Sequence, residues 1–254
     1  MDPEHLAHEL YEAAQTARPV ALLTERYPDL DWNGARAIAR STDAHRRTNG
    51  DSQIGWKLGW TSEAMRMALG IDRPNWGTLW ASQVAGAELH LDRLIHPKIE
   101  PELVWKAPVD FAGPEVTAAD IAAADGEWAL GLEVVDPRFP SFAFAALDNT
   151  ADNSSSAAIR LGDFQAVEDA AAVAAQAVHL SDGPETRTGE GSQAMGSPVE
   201  AVAWLVRSLA VEGLSISEGD IVFTGGLTAP FDAAAGVTYR LAGAPFEDAV
   251  LSFV

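Results

Sequence analysis

The sequence predicts an α+β fold in which a small helical N-terminal lobe leads into one mixed-sheet domain. Three observations predict it. Apolar residues recur at helical spacing through roughly the first fifty positions. Near residue 86 the texture changes to short β-like runs broken by proline and glycine. No internal repeat, linker or low-complexity stretch divides the 254 residues, a length that fits one large domain or a domain plus a small lobe. The lobe is expected over residues 1–80 and the sheet domain over 81–254. At 47% apolar residues, the chain can build a core without covalent staples.

In the lobe, Asp2-Pro3 reads as an N-cap followed by proline at the first helical position, and Leu6, Leu10 and Ala14 recur at spacing four. "DWNGARAIARSTDAHRR" reads as a second helix despite Gly34. "TSEAMRMALG" reads as a short third, with Thr61 or Ser62 as cap and Gly70 as stop. The β-like runs are "AELHL", "KIEPELVW" and "EWALGLEVVD". "SPVEAVAWLVRSLAVEG" is the clearest helix, with Ser197 and Glu200 spaced as a capping box, Pro198 at the first position and Gly213 at the end. "GDIVFTGG" then reads as a buried strand. "VEDAAAVAAQAVHLSDG" is ambiguous: its alanines favour helix, whereas "AVHLSDGPETRTG" reads as strand and turn.

Charge and composition exclude several functions. Seventeen basic residues face thirty-seven acidic ones, for a net charge of −20. That field repels nucleic acid and anionic membranes, and also a small acidic substrate unless a bound cation reverses it locally. With no cysteine, there is no disulfide framework, thiol chemistry or Cys-type zinc site. The "MDPEHLAHEL" terminus lacks the basic and apolar regions of a signal peptide, and no run has the length of a membrane span. A soluble, cytoplasmic protein is expected. No P-loop, dinucleotide fingerprint or G-x-S-x-G is present, and the six histidines show no metal spacing.

The chemistry-bearing residues stand in polar islands. In "HPKIEPELVW" an extended backbone puts Ile99, Pro101, Leu103 and Trp105 on one face and Glu100, Glu102 and Val104 on the other. Glu100 and Glu102 are then about 6.5–7 Å apart at Cα, close enough for their carboxylates to converge. Pro101 between them predicts an edge or a bulge. Glu133 in "LGLEVVDPRF" is a third carboxylate in an apolar run. Three carboxylates suit a hard divalent ion, Mg²⁺ or Mn²⁺; alternatively they pair with Lys98, Lys106 or Arg138, or face solvent. Lys57 in "IGWKLGW" has two readings: a base of lowered pKa in a cleft lined by Trp56 and Trp60, or a surface lysine. "DNTADNSSS" is a loop or a polar network beneath a site, and "TGGLTAP" is a turn or a set of N–H donors for an anion.

Taken in order, "IGWKLGWTSEAMRMALGIDRPNWGTLW", "HPKIEPELVW", "LGLEVVDPRF", "DNTADNSSSAAIRLG", "GSPVEAVAWLVRSLA" and "GDIVFTGGLT" resemble the 2-keto-4-pentenoate hydratase / 4-oxalocrotonate decarboxylase family of the fumarylacetoacetate hydrolase superfamily. The resemblance covers roughly residues 50–230. It implies a mixed β-sheet roll of the fumarylacetoacetate hydrolase C-terminal type, with strand and turn in the ambiguous segment. It also implies Mg²⁺ or Mn²⁺ on Glu100, Glu102 and Glu133, a catalytic Lys57, and substrate contacts at Asn75, Leu103, Ser154, Thr224, Gly225 and Gly226. The implied reaction adds water to a 2-hydroxy-2,4-dienoate to give a 4-hydroxy-2-oxo acid. Decarboxylation of a 4-oxalocrotonate-type acid on the same site is the alternative, and a non-catalytic partner of such an enzyme is an alternative of another class. The His–Glu pair of hydrolytic relatives has no counterpart here. Homo-oligomers, and association with a paralogous decarboxylase or hydratase, are further implications. The chain departs from the family in three places. Asn75 replaces the aspartate of a P-D-aromatic-G stretch, Gly226 replaces a common serine, and Trp56, Trp60, Trp76 and Trp80 make the region unusually aromatic.

Overall fold

The computed structural model describes the backbone of residues 1–254 and the side chains of all but residues 68 and 69. Helices α1 (Pro3–Thr16), α2 (Leu23–Arg26) and α3 (Trp32–Thr48) form the N-terminal layer. Asp2 caps α1, its Oδ1 accepting from the Glu4 N–H at 3.1 Å, and Asp31 caps α3 by accepting from the Gly34 N–H at 2.8 Å. Their buried stripes, Leu6, Leu10 and Ala13 on α1 and Ala35 and Ile38 on α3, pack on Phe139 and Ala151. The lobe thus sits against α6 (Ala146–Ala151), the helix leading into "DNSSS". The remaining helices are α4 (Glu63–Leu69), α5 (Ala118–Ala123) and α7 (Pro198–Val211). Among the described residues no helix is long and apolar enough to cross a membrane.

Strands are numbered along the chain. The larger sheet contains β1 (Gln53–Gly59), β2 (Asn75–Trp80), β4 (Lys98–Lys106), β5 (Glu127–Val135), β6 (Ser156–Leu161), β7 (Gln165–Ala166), β10 (Ile221–Phe223) and β11 (Phe231–Asp232). Its order is β2-β1-β10-β4-β5-β6, with β11 on β4 and β7 on β5. The smaller sheet runs β3 (Glu88–Leu89), β13 (Phe246–Phe253), β12 (Thr238–Gly243), β8 (Ala177–Ser181), β9 (Thr186–Glu190). The larger sheet curls until its ends meet, through a bridge between Val84 and Ile159 and an Ala85 N–H donated to Ile159 O at 2.8 Å. Inside this roll lies a small apolar cluster of Leu79, Val104, Ile159, Ile221 and Phe223. The main core, including Leu103, Trp105, Trp128 and Leu130, occupies the opposite face, packed against the smaller sheet and α7.

Three expectations are revised and one ambiguity is resolved. The boundary at residue 80 cuts through the sheet: β1 pairs with β10 and β2 with β1, so the helical layer ends at Thr48 and Lys57 belongs to the roll itself. β4 is a central strand, and Pro101 is accommodated where β10 gives way to β11. There its carbonyl accepts from the Leu227 N–H of the intervening loop at 2.9 Å, and its missing N–H costs no bond to β5. Ser197 caps α7 without a side-chain hydrogen bond, and Glu200, expected to return to the Ser197 N–H, turns to Arg207 Nη2 at 2.6 Å. The alanine-rich segment forms 3₁₀ turns over Ala170–Ala175 and then β8, so strand and turn win.

A buried ion pair joins the turn after β5 to the segment after α6, on which the lobe packs. Arg138 Nε and backbone N–H both donate to the Asp152 carboxylate, and its guanidinium also reaches the carbonyls of Asp136, Asp152 and Ser156. Arg138→Met leaves Asp152 buried without its partner and is expected to cost about 3–5 kcal/mol of stability. A urea midpoint close to wild type would refute this.

Candidate metal centre

Cross-strand register brings the carboxylates together. β4 and β5 pair antiparallel with Glu100 opposite Glu133 and Glu102 opposite Gly131, so all three glutamates share the face that looks into the roll. One oxygen from each lies within 4.8 Å of the others. Gly131 is needed beneath them, since a Cβ there would stand 2.5 Å from Val104 Cγ2 and 2.6 Å from the Phe223 ring. The glycine lets Phe223 fill the floor.

The "TGG" turn serves one of these carboxylates. Gly225 donates its N–H to Glu102 Oε2 at 2.6 Å, so the anion this turn holds belongs to the protein. Gly225 is at φ 108°, and a Cβ would fall 1.9 Å from Thr61 Oγ1; no side chain fits. Thr224 is fully buried and donates from Oγ1 to Leu103 O at 2.8 Å, anchoring the turn to β4.

Lys57 reaches the same point from β1, across the curled sheet. Its Nζ lies 3.0 Å from Glu133 Oε2, 3.1 Å from Ser154 O and 3.2 Å from Ser154 Oγ. The other cations are engaged elsewhere: Lys98 with Asp232, Lys106 with Glu127, Arg138 with Asp152. Ser154 is presented by three consecutive left-handed residues, Asn153, Ser154 and Ser155, at φ 50°, 53° and 58°. Each costs roughly 1–2 kcal/mol in that conformation, and the surroundings enforce it. Asn153 accepts from the Thr78 N–H at 2.7 Å and donates to Thr78 O at 2.8 Å, while Arg138 grips the chain on either side. Beyond Ser154 the hydrogen bonds continue as a chain of donors. Ser154 Oγ donates to Asn75 Oδ1 at 3.0 Å, Asn75 Nδ2 to Asn149 Oδ1 at 2.7 Å, and Asn149 Nδ2 to Ser155 Oγ at 2.7 Å.

The electrostatics are those of a cation site. Glu102 and Glu133 are fully buried. Glu102 Oε1 and Glu133 Oε1 have no hydrogen-bond donor, while Glu133 Oε2 has the Lys57 ammonium at 3.0 Å. Burial pushes Glu100 up to about 7 and, reinforced by Glu133, pushes Glu102 well above the carboxylate range; burial raises Glu133 too, despite Lys57. The expectation that Lys57 titrates low is reversed here. Burial lowers it, but Glu133, Glu100 and Glu102 together outweigh burial and hold the ammonium. Once all three carboxylates are ionised, they and the one ammonium leave two negative charges uncompensated, which one divalent ion matches. The all-oxygen donor set selects a hard ion.

A cleft of roughly 660 Å³ opens onto Lys57, Glu100, Ser154 and Gly226, walled by Trp60, Phe142 and Phe144. A Cβ on Gly226 would lie 3.3 Å from Glu100 Oε2, so glycine keeps that approach open where a serine would crowd it. Two sequence expectations fail by alternation. Leu103, expected to touch substrate, points into the main core. Trp56 occupies the face of β1 opposite Lys57, stacked edge-on to Trp76 at 5.4 Å, and Trp80 is fully buried, so of the four tryptophans Trp60 alone lines the cleft. Asn75 is buried behind Ser154 and acts through it. Phe142 and Phe144 are absent from the sequence-predicted site, although the aromatic cluster in "DPRFPSFAFAALDN" signals them; Arg138, a candidate partner of the glutamates, pairs with Asp152 instead.

No protein-family model matches the chain. It is 34% identical over 225 residues to the 2-keto-4-pentenoate hydratase of Burkholderia vietnamiensis, covering 87% of this chain and 86% of that one. It is 32% identical over 243 residues to the 4-oxalocrotonate decarboxylase of Pseudomonas putida, covering 94% and 92%. The solved 4-oxalocrotonate decarboxylase from Pseudomonas putida G7, complexed with magnesium and adipate, superposes with a TM-score of 0.94 at 26% identity, over 99% of this chain and 97% of that one. Fumarylpyruvate hydrolase from Pseudomonas aeruginosa shares the fold, with a TM-score of 0.63 at 16% identity over 80% of this chain and 89% of that one.

The carboxylates generate a pH prediction. Folded, Glu100 keeps its proton up to about 7; unfolded, it releases it in the ordinary carboxylate range. The folded state therefore binds more protons in that window, and the stability of the ion-free protein falls as pH rises through it. The melting temperature in EDTA should drop from pH 5 to 7.5, and the gain on adding Mn²⁺ should grow over the same range. Glu102→Gln should melt higher than wild type in EDTA and gain nothing from Mn²⁺. A wild-type Mn²⁺ response in this variant would exclude Glu102 as a ligand.

Proposed function

The chain belongs to the 2-keto-4-pentenoate hydratase / 4-oxalocrotonate decarboxylase family, and on that premise we propose that it is a divalent-metal-dependent hydro-lyase adding water to a 2-hydroxy-2,4-dienoate to give a 4-hydroxy-2-oxo acid. The observation that carries the reading is Lys57, whose ammonium stands at the floor of the cleft between three convergent carboxylates and Ser154. Glu100, Glu102 and Glu133 would hold Mg²⁺ or Mn²⁺. When bound, the ion supplies positive charge and Lewis acidity for the substrate's carboxylate and 2-oxygen.

The protein's residues then divide the work. Once the glutamates are neutralised, burial dominates at Lys57 and lowers its hold on the proton, so neutral Nζ can accept the 2-hydroxyl proton. Ser154, with its carbonyl and Oγ on Nζ, orients that nitrogen, and Asn75 fixes the Ser154 hydroxyl. Returning a proton at C5 gives the 2-oxo-3-enoate; water adds at C4 and a proton at C3, giving the 4-hydroxy-2-oxo acid. Trp60, Phe142 and Phe144 bind the apolar middle of the substrate and limit bulk water. Gly226 leaves room beside Glu100.

A second reading is decarboxylation of a 4-oxalocrotonate-type acid, favoured by the decarboxylase whose structure superposes with a TM-score of 0.94. Here the bond to the distal carboxylate breaks, CO₂ leaves, and the electron pair passes through the conjugated chain to the 2-oxygen. A non-catalytic partner role has less support, since Lys57 and its contacts are intact. A cytoplasmic location, and a homo-oligomer able to associate with a paralogous decarboxylase or hydratase, complete the proposal.

One experiment separates these reactions. The protein with Mg²⁺ or Mn²⁺ is incubated with 2-hydroxy-2,4-dienoates and with 4-oxalocrotonate, and products are weighed by mass spectrometry. Gain of one water supports hydration, loss of one CO₂ supports decarboxylation, and neither product with any substrate defeats both. Lys57→Met should cut kcat by about 10²–10⁴ without weakening Mn²⁺ binding. Near-normal turnover would remove Lys57 from the mechanism.

A further inference from the structure

Helix α3 runs along β2, the outermost strand of the larger sheet, and meets it at every second residue. Arg36 lies over the Trp76 ring at 3.7 Å and donates from Nη1 to Trp76 O at 2.9 Å. Arg47 lies 5.3 Å from the centroid of the Trp80 ring. Between them Asp43, 8% exposed, accepts from Thr78 Oγ1 at 2.9 Å. Trp76 and Trp80, which lie outside the cleft, thus brace a helix. Among the described residues Thr78 is the one hydrogen-bond donor to the Asp43 carboxylate, and Arg36, Arg46 and Arg47 of the same helix surround it with positive charge. Thr78 leads from there to the site. Its N–H and carbonyl pair with the Asn153 side-chain amide at 2.7 and 2.8 Å, as they would with a neighbouring strand. Gly77 permits the approach, since a Cβ there would stand 2.6 Å from Asn153 O. Asn153 opens the left-handed turn whose Ser154 holds Lys57 Nζ. Helix and ammonium are joined by one unbroken line: Asp43, Thr78, Asn153, Ser154, Lys57.

We infer that Asp43 is a positioning residue for the reaction: by fixing Thr78 it fixes the Asn153–Ser155 turn, and through that turn the place of the Lys57 ammonium. This rests on the reading above, in which Lys57 moves the substrate's proton. Asp43 does not line the cleft, so it acts on the chemistry only through this line. Burial opposes its charge and pushes it up to about 6, yet a carboxylate stands here. Without it the buried Thr78 hydroxyl loses its acceptor and the three guanidiniums lose the anion between them. Helix α3 would then have no polar tie at the centre of β2, the residue to which the turn is pinned.

The test measures turnover of a 2-hydroxy-2,4-dienoate per Mn²⁺-binding site, so that unfolded protein drops out. Asp43→Ala should lower kcat about tenfold while KM and Mn²⁺ affinity stay within about twofold. Asp43→Asn, which keeps an acceptor for Thr78, should recover most of the loss. Thr78→Val should lose as much as Asp43→Ala, Thr78→Ser should recover it, and the double variant Asp43→Ala/Thr78→Val should lose no more than either. If Asp43→Ala does not fold, the two Thr78 variants carry the comparison. An unchanged kcat in Asp43→Ala or Thr78→Val, losses that add in the double variant, or an equal fall in Mn²⁺ affinity overturns the inference. If wild type turns over no dienoate, the functional reading fails and deuterium exchange decides Asp43 separately. Residues 149–157 should then exchange about tenfold faster in Asp43→Ala than in wild type, with α7 unchanged, and Asp43→Asn should restore protection. Unchanged exchange at 149–157, or an equal acceleration in α7, overturns it.

Discussion

Three carboxylates and one ammonium share the interior of a curled sheet, and much of the surrounding architecture serves to keep them there. Burying like charges at this spacing is unfavourable, so the fold supplies compensation from several directions. Gly225 donates a backbone N–H to Glu102, Lys57 crosses the roll to Glu133, and the oxygens left without donors define where a cation belongs. The closure between Val84 and Ile159 belongs to the same arrangement. Lys57 and Glu133 sit on strands separated by β10 and β4, and only curvature brings their side chains into contact.

The helical lobe takes part indirectly. Its apolar stripes pack on Phe139, next to Arg138, and on Ala151, two residues before the segment that turns left-handed at Asn153–Ser155. Arg138 grips that segment through Asp152 and Ser156, and Asn153 locks it to Thr78 on β2. The position of Lys57 Nζ therefore depends on packing well removed from the carboxylates.

Much of this was legible in the sequence, and for identifiable reasons. Strand alternation alone places Glu100 and Glu102 together, and capping chemistry locates the starts of α1 and α4. The six ordered islands carried the family, and with it Glu133 and Lys57 as members of one site. What escaped depends on neighbours distant in the chain. The register of β5 against β4 sets Glu133 opposite Glu100, and no local pattern encodes it. Lys57 next to Trp56 suggests an apolar setting, yet the two side chains leave β1 on opposite faces, and the lysine meets carboxylates instead. Glu200 has the spacing of a capping box but Arg207 competes for it on the same helix. Leu103 was assigned to substrate although alternation already turned it away from the glutamates.

The amide at position 75 changes the character of the network behind Lys57. Each link runs in one direction, from the ammonium through Ser154, Asn75 and Asn149 to Ser155, and an amide cannot reverse its donor and acceptor ends as a carboxylate can by gaining or losing a proton. The network is a brace with a fixed polarity and no conductor. Lys57 is thereby insulated on its buried side and can exchange hydrogen only through the cleft. On the proposed role for Lys57, a hydrogen taken up from the cleft would be held beside the cleft's occupant rather than passed into the protein.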